Sequence, residues 1–350
     1  MGIVEICVFA ILLLYVAIKG EKKGKIVAVI GMSILFVLSA LRAEEVGIDV
    51  QNYLNMYKTV AKYNWTSLVD FISANSDNFK DTVYYYTGWL FSRFFDNEQW
   101  WLVAIALFYS IVVGRLIYKE SKQPAISIVM LVSLGFYYFS MTGLRQTIAM
   151  SILILGYPFL KERRFIPFAI LVFIASRYHL SAFVFFAVYP IANKKLGIYH
   201  VIIATVALVV FYAFKDWLLE FLNNILGGER FENYTSGNAS QLTMSGFAIQ
   251  TSCFGFALYY YKRMIADNER YLVLYNLSFI GWVFQLFSSF IAEFFRVSML
   301  FSIFNIILIA NAASMEKESR SRSILQMVVI IIFALYMIKD GGIRYEFFWQ

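Results

Sequence analysis

The chain has 350 residues, of which 60% are apolar, 19% aromatic and only 15% charged, with a formal net charge of +7. A soluble domain of this length needs far more surface charge, so soluble enzymes and soluble binding modules are excluded. Apolar runs near the ~20 residues that cross a ~30 Å hydrocarbon core recur along the chain, without the short alternating strands of a transmembrane β-barrel. The expected class is an all-α polytopic membrane protein, one integral membrane domain over residues 1–350.

The first apolar run, residues 2–18, has no basic leader, carries Glu5 and is followed by "KGEKKGK". A cleaved signal peptide has its charge at the other end, so the run predicts a retained helix that starts outside the cytoplasm. Runs at 26–41, 99–118, 125–141, 143–160, 196–214, 246–261, 271–291, 297–313 and 323–338 bring the expected full spans to about ten. Basic loops at 119–122, 161–164, 193–195, 262–270 and 315–323 fall on the same side as the first, which predicts one topology with both termini outside. These loops account for the positive charge, and no nucleic-acid partner is expected.

That topology requires residues 165–192 to enter and leave the membrane by the same face. The stretch is too long for one span, too short for two, and carries Arg177 and His179 near its middle. Its halves, about 12–14 residues each, make roughly 18–21 Å of helix, short of a ~30 Å core. A broken, re-entrant helix pair turning at Ser176–His179 is expected, as occurs where backbone is buried in protein or lines a wet cavity. Outward segments of about 42–98 and 215–245 are long enough to fold. In the first, Val83, Tyr86, Leu90 and Phe94 recur at helical spacing and predict an extracytoplasmic, interfacial amphipathic helix.

Cys7 and Cys253 lie in separate apolar runs and there are two histidines in all, so no disulfide framework, metal site or cofactor is expected. The cytoplasmic loops hold mostly lysine. Arg42, Arg93, Arg145, Arg177, Arg230, Arg296 and Arg344 instead lie in outward loops or at outer helix ends, against the trend that sets orientation. Arginine grips phosphate in a bidentate fork and stays charged. One placed within a span costs ~2.5–3.5 kcal/mol and usually faces a cavity or a partner. Several converging would make a site for a pyrophosphate.

Local ion pairs account equally well for Arg42 with Glu45, Arg93 with Asp96 and Arg296 with Glu293, and Arg230 has Glu229 and Glu232 beside it. Arg145 and Arg177 lack such neighbours. His179, two positions from Arg177, is either a ligand-contacting group or a packing residue. Asp49, Tyr53 and Tyr57 follow one another at i+4 steps. An acid and two phenols on one helical face suit a sugar, and an interfacial aromatic belt explains the tyrosines as well.

The same residues lie in motifs that resemble a known family. "LRAEEVGIDVQNYLNMY" resembles the R…G-x-D-x-x-x-Y signature of the EpsG-type branch of Wzy polysaccharide polymerases. "TGLRQTIAMSI" resembles the family's R-Q-x-x-A helix, "SRYHLSA" its H-x-S-A segment, and "RFENY" and "FFRVSML" its later arginine-bearing stretches. The similarity runs from about Arg42 to Leu300 in the expected order. Ile48 and Val50 stand where threonines often flank the motif aspartate, and Asp81 stands where a glutamate is expected.

The resemblance implies a membrane glycosyltransferase on the outer face of the bacterial cytoplasmic membrane. Such an enzyme joins oligosaccharide units carried on undecaprenyl pyrophosphate into exopolysaccharide, capsule or O-antigen. Its partners would be the lipid-linked donor and acceptor, membrane lipid and a chain-length regulator. The resemblance further implies Arg145 and Arg177, helped by Arg296, on the pyrophosphate, with His179 as base or acceptor-orienting group. Asp49 would position sugar with Tyr53 and is the alternative base; Arg42, Gln146, Arg230 and Tyr234 would be further substrate contacts. An O-antigen ligase is one alternative. A transporter or flippase of lipid-linked oligosaccharide is another, though transporters often show two similar halves and none are visible in this sequence.

Overall fold

In the computed structural model the regular elements among the described residues are all helical. The structure describes residues 2–75, 81–197, 239–288, 293–339 and 344–350, with scattered positions between 200 and 217. Ten α-helices come first: α1 (Ile3–Ala17), α2 (Lys23–Ala40), α3 (Val50–Ala61), α4 (Trp65–Ala74), α5 (Thr82–Ser92), α6 (Gln99–Glu120), α7 (Pro124–Ser133), α8 (Phe136–Thr142), α9 (Leu144–Lys161) and α10 (Phe165–Tyr178). A 3-10 helix, Leu180–Val188, follows. Then come α11 (Ala239–Tyr259), α12 (Tyr261–Asp267), α13 (Tyr271–Phe287), α14 (Glu293–Ser302), α15 (Asn305–Ala312) and α16 (Ser319–Lys339).

The chain divides into two compact units, Met1–Phe186 with Ile309–Gln350, and Ala187–Leu308. In the first, α2 packs on α6, α6 on α9 and α9 on α10, while α3 and α10 both lie against α5. Leu35, Leu102, Val113, Ala149 and Leu153 fill the seams and are almost wholly buried. Asn311 closes the end of α6: its amide donates to the Glu120 carbonyl at 2.8 Å and its oxygen accepts from the Lys122 N–H at 2.7 Å. In the second unit α13 packs against both α11 and α14. Gly281 allows that approach, because a Cβ there would collide with the Ser302 hydroxyl. Ser302 in turn donates to Gln250 at 2.8 Å, and Ser298 to the Gly281 carbonyl at 2.8 Å. Small and hydroxylated residues at such seams are how helices associate where burial from water supplies no drive.

The all-helical class is as expected; ten full spans are not established, and the expected span at 196–214 and the outward segment at 215–245 lie largely outside the described residues. Among the described residues three helices are long and apolar enough to cross a membrane: α2, α6 and α16. The count reaches five if two bent pairs each make one span: α7 with α8, bent by 52°, and Phe294–Ser302 with α15, bent by 44°. Apolar content alone hides these breaks. Residues 125–141 look like one run, yet Gly135 adopts φ +79° and starts a new axis. α1 has 15 residues and α13 has 17. α9 has 18, but its first turn carries Arg145 and Gln146 and its last Lys161.

The helix expected around Val83–Phe94 forms as α5, together with α3 and α4 before it. Its buried face is Tyr84, Tyr85, Gly88 and Ser92; of the expected stripe Leu90 and Phe94 are exposed, while Val83 and Tyr86 are half-buried and Tyr86 meets the Trp65 ring at 5.5 Å. The stretch 165–192 breaks where expected: α10 ends at Tyr178, and His179 is extended at φ −156°, ψ 112°.

Candidate functional site

Three elements of the first unit bring polar groups to one carboxylate. Asp81, the residue before α5, is buried at 6% exposure. A carboxylate removed from water is tolerable only when charge and hydrogen bonds replace the lost solvent. Arg145 supplies the charge, with Nη1 3.0 Å from Asp81 Oδ2. The Leu180 N–H donates to Oδ1 at 3.3 Å. His179 Nδ1 lies 3.5 Å from Oδ2, close enough for charge attraction but too long for a good hydrogen bond.

Local backbone breaks create this meeting. α8 stops at Thr142 and α9 restarts after Gly143, which puts Arg145 in the first turn of α9. A cation there faces the positive end of the helix dipole, and Asp81 offsets that cost. α10 stops one residue before His179, whose N–H still bonds back to the Ala175 carbonyl at 3.0 Å. The extended turn at His179 frees the next N–H, that of Leu180, for Asp81. The Tyr178 hydroxyl, 3.0 Å from the Thr87 hydroxyl, ties the end of α10 to α5.

Aromatic rings back the site. The Arg145 guanidinium sits 5.7 Å from the Tyr53 ring centroid, and Tyr53 meets Tyr84 edge-on at 5.5 Å. The Trp101 indole N–H donates to the Tyr84 hydroxyl at 3.0 Å. Burial pushes the Tyr84 phenol far above its ordinary pKa, and pushes Tyr85 up too, against the opposing pull of Arg145. Both phenols therefore stay neutral around pH 7. The side chains of Arg145 and His179 are 27% and 19% exposed, against 8% for Asp81. Arg145 Nε, His179 Nδ1 and Ser181 Oγ are buried without hydrogen-bond partners, an unusual concentration of unmet polar demand. The cluster thus presents a cation and an imidazole outward from a shared buried anion.

The other residues singled out in the sequence fall elsewhere. Arg177, in the last turn of α10, is exposed and has no ion-pair partner among the described residues. Asp49 precedes α3, half-buried and without a side-chain bond to the helix start, whereas Tyr53 reaches Arg145. Gln146 is buried within α9. Arg42 is fully buried and bonded to carbonyls and a hydroxyl, not to Glu45. Arg93 likewise reaches the Ala61 carbonyl and lies 5.3 Å over the Trp89 ring. Arg296 is exposed on α14 of the second unit. Arg230 and Tyr234 lie outside the described residues. Asp81 is the residue that sequence reasoning undervalued. Its signal was slight: a carboxylate placed directly before the aromatic run "TVYYY", where the motif led one to expect a glutamate.

The EpsG family model matches residues 25–346. The chain belongs to the EpsG family. No curated protein and no solved structure matches it. The EpsG match takes in Asp81, Arg145 and His179, and it reaches the segment at 345–346 that lies against the loop after α2. Apolar helices and EpsG membership together make this a membrane protein.

Proposed function

We propose that this EpsG-family chain is a membrane glycosyltransferase that polymerises undecaprenyl-pyrophosphate-linked oligosaccharides on the outer face of the bacterial cytoplasmic membrane. The observation that carries the reading is Asp81 shared by Arg145 and His179 at two helix breaks. In the reaction an acceptor hydroxyl attacks the anomeric carbon of the donor chain. The carbon–oxygen bond to the lipid pyrophosphate breaks, and the electron pair leaves with the phosphate. Charge builds on that leaving group, and the exposed edge of Arg145 is a preorganised donor for it. Arg177, two residues before His179, is a further cation for the same anion. The acceptor proton passes to His179. With Asp81 beside Nδ1, the imidazole is oriented so that Nε2 is the atom left to receive it.

The test is the size ladder of lipid-linked glycan in a strain lacking the protein, complemented with the unsubstituted chain or with His179→Ala. Both the deletion and His179→Ala are expected to leave single-unit product on the outer face and no ladder. Normal chain length from His179→Ala removes the histidine from the reaction. Units trapped inside the cell would instead indicate a flippase, and long chains stranded on the lipid carrier a ligase.

A further inference from the structure

The loop between α2 and α3 touches the break between α8 and α9 at two points, and α3 flanks Arg145 at a third. First, the Arg42 guanidinium, 1% exposed, donates from Nη2 to the Met141 carbonyl at 3.3 Å. Its other branch bonds to the Ser39 carbonyl and, at 3.2 Å, to the Ser39 hydroxyl. The Met141 carbonyl is one that the helix leaves unpaired when α8 stops at Thr142, so an arginine takes the role of the missing N–H. Second, Gly47 lies against the same carbonyl: a Cβ there would come within 2.6 Å of Met141 O, and its φ of +119° suits glycine alone. Third, Tyr53 on α3 lies beneath Arg145. Arg145 is four residues beyond Met141 and the second residue of the helix that this break starts.

We infer that Arg42 and Gly47 are positioning residues: together they fix the α8–α9 break and so set where Arg145 stands relative to Asp81. Resting on the polymerase reading above, this inference changes the role of the motif that begins at Arg42. The arginine and glycine hold a helix joint, and within the stretch Tyr53 is the side chain that reaches the site. A buried arginine with all its contacts on carbonyls and a hydroxyl is shielded from a pyrophosphate.

The experiment uses the full chain in detergent with a lipid-linked oligosaccharide as substrate, and compares Arg42→Met, Arg42→Lys, Gly47→Ala, Arg145→Ala and the pair Arg42→Met/Arg145→Ala. Displacement of a catalytic group by about 1 Å costs roughly 100-fold, so Arg42→Met is expected to lose about that in turnover while KM for the lipid-linked donor stays within about threefold. Gly47→Ala should behave in the same way. Arg42→Lys, which keeps one donor, should recover part of the loss. Because Arg42 acts through Arg145, adding Arg42→Met to Arg145→Ala should cost little more than Arg145→Ala alone. Multiplicative losses, or a KM rise at unchanged turnover, would make Arg42 a direct substrate contact and overturn the inference. If the unsubstituted chain extends no substrate, the polymerase reading fails separately. Thermal unfolding of the same set then decides the joint, with additive shifts counting against it and sub-additive shifts supporting it.

Discussion

Asp81 gathers three partners from separate elements, so substitutions there separate charge from shape. Asp81→Asn keeps the volume but removes the anion that balances Arg145 and faces His179. Polymerisation is expected to fall about 100-fold, the scale of a mispositioned reacting group, measured as chain extension in membranes. Asp81→Glu keeps the charge and should retain most activity. Arg145→Ala should be harder on the fold: it leaves a buried carboxylate unpaired and costs on the order of 3 kcal/mol in thermal unfolding. A contrasting pair lies nearby, Lys58 Nζ at 2.6 Å from Glu98 Oε1, with side chains 46% and 27% exposed. The hydrogen bond to Glu98 pulls the Lys58 pKa up; burial pushes the Glu98 carboxyl up, but Lys58 brings it below its ordinary value overall. Its contribution is therefore present above the ordinary carboxylate range and lost as pH falls through the lowered pKa. Exposed pairs are worth only ~0.2–1 kcal/mol, so Glu98→Gln should barely change acid tolerance, measured by unfolding at low pH.

At the scale of elements, helix breaks build the site, and glycine marks two of them. Gly135 is the cleaner probe, since a Cβ there meets nothing within 4 Å and only its φ of +79° resists substitution. Gly135→Ala is expected to lower stability by ~1–2 kcal/mol, the cost of a left-handed L-residue, measured by thermal unfolding in detergent. The break at His179 was legible in the sequence, because a 165–192 stretch bearing an arginine and a histidine fits no whole number of spans. The break at 134–135 was not, since "LVSLGFYYFS" carries no charge and a single glycine is common in membrane helices. Nor was the inward face of α5. Tyr84 and Tyr85 are as aromatic as the Val83–Tyr86–Leu90 stripe, and only the position of Asp81, α3 and α10 decides which side turns in. His179 and Arg145 were found as isolated residues; their common partner required packing between helices far apart in sequence.

At the scale of the molecule, the basic loops predict which parts face the cell exterior. An impermeant maleimide on intact cells should label Ser67→Cys, on exposed α4 surface, without permeabilisation. Lys119→Cys, at the end of α6, should label only after the membrane is opened. Native Cys7 and Cys253 provide the background, with Cys253 buried. The reverse pattern would invert the topology and remove Asp81 from the outer face.

A different consequence follows from the segment at 345–348. The Tyr345 hydroxyl donates to the Leu38 carbonyl at 2.6 Å, the Ala43 N–H to the Glu346 carbonyl at 2.8 Å, and the Phe348 N–H to the Leu41 carbonyl at 3.0 Å. The loop that carries Arg42 is thus held by residues made some 300 positions later, roughly 15–60 s at ~5–20 residues per second. The loop therefore gains these partners only after α16 has been made.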